Sequence, residues 1–122
     1  MKAQKIDTII DKFDSPIILS IDYDLESLRI RYSANENDEY IILFNNPIGF
    51  KCLDERDMMD YWKHKVLTDN WIIEILEGGW LDMERSNSFI SDKILNVREF
   101  LIEGNDECLT VLSEKKPVIE RT

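Results

Sequence analysis

Residues 17–53, IILSIDYDLESLRIRYSANENDEYIILFNNPIGFKCL, decide the fold class. Ile17, Leu19, Ile21 and Tyr23 alternate with Ile18, Ser20 and Asp22. After the short turn Asp24-Leu25-Glu26 the alternation resumes, with Leu28, Ile30 and Tyr32 against Arg29 and Arg31. A period of two belongs to a strand with one buried face, and two such runs across a short turn read as a hairpin. The polar Asn35-Glu36-Asn37-Asp38 turns the chain into Tyr40-Ile41-Ile42-Leu43-Phe44. That unbroken apolar run predicts a central strand covered on both faces. Asn45-Asn46-Pro47 makes another turn, and residues 48–53 return as a fourth strand. Four successive strands on short loops predict an antiparallel meander.

Working outward, Ile6, Ile9, Ile10 and Phe13 stand at helical spacing and predict a short amphipathic helix over 4–13. Asp14-Ser15-Pro16 stops it, because proline disfavours helical geometry in the residue before it. On the other side the period returns to 3.6 at Asp54. Asp54 as cap, Asp57 three residues on and a Leu53–Met58 staple predict a helix over 55–65. Residues 71–76, WIIEIL, admit strand or helix; Trp71, the isoleucines and the closing Gly78-Gly79 favour strand. Residues 84–96 are polar and read as loop with a helical turn. Residues 98–103 and 108–113 flank Gly104-Asn105-Asp106-Glu107 and predict a C-terminal hairpin that extends the meander. Lys115-Lys116-Pro117 ends the structure, leaving 116–122 as a mobile tail. The expectation is a single α+β domain over 1–122, mainly antiparallel sheet (meander plus C-terminal hairpin), with two or three short helices.

Composition bounds the function. The chain has 122 residues, 43% of them hydrophobic, enough for a real core and too apolar for a disordered tail. Twenty-five acids against 15 bases leave a net charge of −10. That excludes direct nucleic-acid binding, which needs Lys and Arg clustered over phosphate, and disfavours an anionic membrane surface. No signal-peptide pattern or membrane-length apolar run occurs, which predicts a cytoplasmic protein. Cys52 and Cys108 lie in apolar strand-like runs and are expected to be buried, reduced thiols.

Motifs for catalysis and cofactors are missing. Asp22-x-Asp24-x-Glu26 opens like a calcium loop, but Ser27 and Ser33 stand where an EF-hand needs glycine and glutamate. It is read as a solvated hairpin end. The lone histidine, His64, sits between Lys63 and Lys65 near a predicted helix end, where its charge suits the dipole. No phosphate loop, nucleophile elbow or zinc-ligand spacing appears. The expectation is a protein without enzymatic activity, cofactor or metal.

Two acidic clusters remain as candidate partner-binding residues: Glu36, Asp38 and Glu39 in a turn, and Glu55, Asp57 and Asp60, with Asp54, over a helix start. Such a surface steers a basic partner and rejects acidic ones. Tyr61, Trp62, Trp71 and Trp80 would be its aromatic anchors where exposed, although most are expected in the core. The run Gly49-Phe50-Lys51-Cys52-Leu53-Asp54-Glu55-Arg56-Asp57, then Tyr61-Trp62, Trp71, Gly78-Gly79-Trp80-Leu81, Phe100-Leu101-Ile102 and residues 106–113 with Pro117 resembles small bacterial immunity proteins encoded beside polymorphic toxins. These include the immunity proteins of contact-dependent growth-inhibition systems. The resemblance covers residues 48–118 and carries no toxin-contact residue over. It implies a cytoplasmic antitoxin that binds and blocks a toxin's C-terminal domain, often a nuclease, and the acidic clusters predict that this domain is basic. A small non-catalytic structural or scaffold protein with no toxin partner is the alternative.

Overall fold

A computed structural model describes residues 1–10, 14, 16–54, 70–87 and 96–122. Strand β1 spans Lys2–Lys5, β2 Ile17–Tyr23, β3 Ser27–Asn35, β4 Asp38–Asn45 and β5 Gly49–Asp54. Strand β6 spans Ile72–Glu77, helix α1 Trp80–Ser86, β7 Arg98–Glu103, β8 Glu107–Ser113 and β9 Val118–Arg121. The strands make two antiparallel sheets, a four-stranded one in the order β2-β3-β4-β9 and a five-stranded one in the order β1-β6-β7-β8-β5.

The alternating sequence does what its period demands in the four-stranded sheet. Leu28, Ile30, Tyr32 and Ala34 of β3 are buried while Arg29 and Arg31 are exposed. In register across from them, Phe44, Ile42 and Tyr40 of β4 point into the same core. Strand β4 is central, as expected, but only one of its faces is fully covered. Ile41 and Leu43 are half-buried on the outer face beside Arg29, Val118 and Glu120.

The meander stops after three strands. At Asn46, whose φ is +50°, the chain turns away, and the Ile48 amide donates to the Leu112 carbonyl at 2.8 Å. Strand β5 then pairs with β8 in the other sheet, Gly49 opposite Leu112 and Asp54 opposite Glu107. The edge of β4 that a fourth meander strand would have used is taken by β9, with Ile42 opposite Ile119. Residues 118–121 are therefore sheet and not a mobile tail. The β7–β8 hairpin is formed as expected, but it lies in the five-stranded sheet and does not extend the meander.

The helix expected over 4–13 is not formed in its described part. Lys2–Lys5 pair with β6, placing Ala3 against Ile75, because β6 offers an open edge whose hydrogen bonds outweigh a weak helix nucleus. Further on, Thr8 Oγ1 accepts from the Ile10 amide at 3.2 Å, a local bond that competes with helical pairing. Residues 11–13 and the expected helix over 55–65 lie outside the described residues. The WIIEIL run is strand from Ile72, and the helix that follows occupies 80–86, earlier than the 84–96 segment where a helical turn was expected.

The two sheets face each other over one core. Leu28, Ile30, Tyr32, Ile42 and Phe44 meet Ile72, Phe100, Ile102, Leu109 and Val111. Tyr32 lies 4.8 Å from Trp71, and its hydroxyl donates to the Glu103 carbonyl at 2.8 Å. The far face of the five-stranded sheet buries Ile73, Ile75, Leu101 and Cys108, with Leu81 of α1 against Val97 and Leu112. Cys108 is buried as expected. Cys52 is exposed, because β5 is the edge strand and leaves that side chain at the rim.

Candidate partner-binding surface

The carboxylates sort into those the fold uses and those it displays. Glu99 is 1% exposed, and its oxygens accept from the Trp80 amide at 3.1 Å and the Leu81 amide at 2.7 Å. It caps α1 from another strand, which explains the helix start at Gly79, a residue with no side chain to cap it. A Cβ on Gly79 would stand 2.6 Å from a Glu99 oxygen, so the Gly78-Gly79 pair serves this approach as well as the +78° φ of Gly78. Burial pushes the Glu99 carboxyl above its usual range, against the two amides and Lys51. Glu74 is also buried. It takes both Arg98 Nε and Nη2 at 2.8 Å and Gln4 Nε2 at 3.1 Å, and the bonds from Arg98 hold its carboxyl below the usual range. Both acids join strands or a helix together.

Of the acids singled out in the sequence, Glu36 is exposed in the β3–β4 turn. Asp38 is ion-paired to Arg121 of β9. Glu39 accepts from Arg31 Nε at 2.9 Å. Two of the three carboxylates in this turn are thus already matched by arginines of the same sheet. Glu55, Asp57 and Asp60 lie outside the described residues. Among the described residues, no three His, Cys, Asp or Glu side chains form a metal-binding group. No helix among them is long and apolar enough to cross a membrane.

A different acidic element lies at the opposite end of β3, roughly 30 Å away along the strand. The β2–β3 turn exposes Asp22, Tyr23, Asp24, Leu25 and Glu26 together. None of the ion pairs among the described residues involves its three acids. The Asp24 amide donates to the Ser27 carbonyl at 3.2 Å, leaving Leu25 and Glu26 as the two central residues. Asp24 Oδ1 accepts from the Glu26 amide at 2.9 Å, the Ser27 amide at 2.7 Å and the Ser27 hydroxyl at 3.2 Å. Those backbone bonds to the ionised form keep the Asp24 carboxyl below its usual range. Next to it, the Asn46 amide donates to the Glu26 carbonyl at 2.7 Å, and the Tyr23 ring stacks edge-on against Phe50 at 5.2 Å. Both contacts brace the turn against neighbouring strands.

Leu25 is the residue that charge reasoning passes over. It is 81% exposed, with a φ of +78°. Its signal in the sequence is a leucine in a two-residue hairpin loop, where glycine or asparagine suits a positive φ. Comparison of the chain with protein families, curated proteins and solved structures gives no match.

Proposed function

We propose that this protein is an immunity protein: a non-catalytic inhibitor that binds a basic C-terminal toxin domain, of nuclease type, and occludes its active site. One observation carries the reading. The chain holds a net charge of −10, and acids left over from the fold's own ion pairs stand on a braced hairpin turn. A toxin domain that grips phosphates presents the opposite field, so the match accelerates encounter and selects the partner. The family resemblance over residues 48–118 supports the same reading.

The proposal requires a toxin gene beside this chain's own, and its test is co-expression with that toxin's C-terminal domain, scored by growth. Rescue by the intact chain supports the proposal, and unrelieved toxicity sinks it. In purified form, association should slow steeply with rising salt while dissociation changes less. Glu26→Lys and Glu36→Lys reverse exposed charges that hold no structural bond through their side chains. Glu39 and Asp38 are poorer probes because each pairs with an arginine.

A further inference from the structure

We infer that Leu25 is the apolar anchor of the interface, inserted into a hydrophobic pocket on the partner whose rim carries lysine or arginine. This rests on the inhibitor reading above and goes further by naming the contact and the chemistry that receives it.

A side chain with a Cβ at φ +78° in a tight turn is strained, and glycine relieves that strain. The leucine gains nothing back inside the molecule, since 81% of it faces solvent. The turn around it is nevertheless fixed at several points, through Asp24 Oδ1, the Asn46 amide and the Tyr23–Phe50 contact. An apolar side chain carried on a fixed turn has little backbone entropy left to lose on docking, and so keeps more of its burial energy. The occupant follows from the surrounding charge. Asp24 is held ionised, and Glu26 and Asp22 are exposed beside it. Asp22 faces Arg29 across the ladder, so the unopposed acids are the two nearest the tip. An apolar knob inside an anionic collar fits an apolar pocket inside a cationic rim. It does not fit an acidic or wholly apolar surface.

The deciding experiment is calorimetric and kinetic titration of the catalytically inactivated C-terminal domain of the adjacent toxin with the parent chain and four variants. Leu25→Gly should melt no lower than the parent, since it suits the backbone, yet bind at least about tenfold more weakly, with the loss in the dissociation rate. Leu25→Met should retain affinity, and Met83→Ala, another exposed apolar side chain on α1, should leave it unchanged. Glu26→Lys should act on the association rate instead. Binding of Leu25→Gly within about twofold of the parent overturns the anchor while leaving the inhibitor reading intact. A parent chain that does not bind this domain overturns both.

Discussion

The two sheets solve opposite problems. In the four-stranded sheet one face meets the core and the other meets water, so β3 alternates strictly between Leu28, Ile30 or Tyr32 and Arg29 or Arg31. In the five-stranded sheet both faces are covered, and Phe100-Leu101-Ile102 and Cys108-Leu109-Thr110-Val111-Leu112 are buried at every residue. The contrast extends to charge. Carboxylates of the covered sheet, Glu74 and Glu99, survive burial only because Arg98, Gln4 and the α1 amides satisfy them. In the open sheet Asp38 and Glu39 pair with arginines at the surface, while Asp22, Asp24, Glu26 and Glu36 enter none of the ion pairs among the described residues. The proposed recognition surface accordingly lies on the sheet that is half solvated.

The sharpest attack on this contrast compares two leucines. Leu101→Ala empties a site closed on both sides and should cost about 2–5 kcal/mol in urea unfolding. Leu43→Ala, on the open face, should cost about 1 kcal/mol or less. Equal losses would mean that the outer face of the four-stranded sheet is packed and not open.

A smaller effect is expected at the carboxylates. Glu99→Ala strands the Trp80 and Leu81 amides and should cost about 1–3 kcal/mol. The pH dependence separates the two buried acids. Glu99 is raised from its ordinary 4.5 by burial, so its linked stability is fully present below 4.5 and lost as pH rises through the folded value. Glu74 is lowered from 4.5 by the bonds from Arg98, so its contribution is present above 4.5 and lost as pH falls through the folded value. Glu74→Gln should flatten the acid limb of a stability–pH curve, and Glu99→Gln the limb above it. Identical curves for both variants would break the assignment.

The smallest effect is chemical. Ellman's reagent on the native protein should titrate one thiol, removed by Cys52→Ser, while Cys108 reacts only on unfolding. Partial desolvation at the sheet rim, with Glu107 beside it, raises the Cys52 thiol, so its labelling should be slow for an exposed cysteine.

Legibility in the sequence follows the same divide. The first two strands of the open sheet could be read from Ile17 to Tyr32 because water on one face imposes a period of two. The unbroken apolar run Tyr40–Phe44 named a strand but not its half-buried outer face. The strand at residues 72–77 and the β7–β8 hairpin could be read from composition and glycine punctuation. Their place in a second sheet could not, since runs such as Ile72-Ile73 carry no period that names a partner. The same blindness placed β5 in the meander and made a tail of β9. The N-terminal helix failed because Ile6 and Ile10 have helical spacing, whereas the edge of β6 competes through backbone bonds that spacing does not record. At the candidate surface, charge identified Glu36 as exposed but not the arginines that neutralise Asp38 and Glu39, because Arg121 arrives from 83 residues away. Leu25 went unread because a turn is judged by its polar residues.

That long reach has a kinetic consequence. Gln4 joins Glu74 across 70 residues within the five-stranded sheet, Arg121 joins Asp38 across 83 within the four-stranded sheet, and Tyr32 joins Glu103 across 71 between the two. The β2–β3–β4 hairpins join neighbours across two turns. Loop-closure entropy falls on the distant pairs, so the meander organises early and β1 and β9 dock late. Substitutions inside β3 should then slow folding, whereas loss of the Arg121 or Gln4 bonds should chiefly speed unfolding. Strands β1 and β9 act as latches: they do little to determine how fast the chain finds its fold and much to determine how long it keeps it.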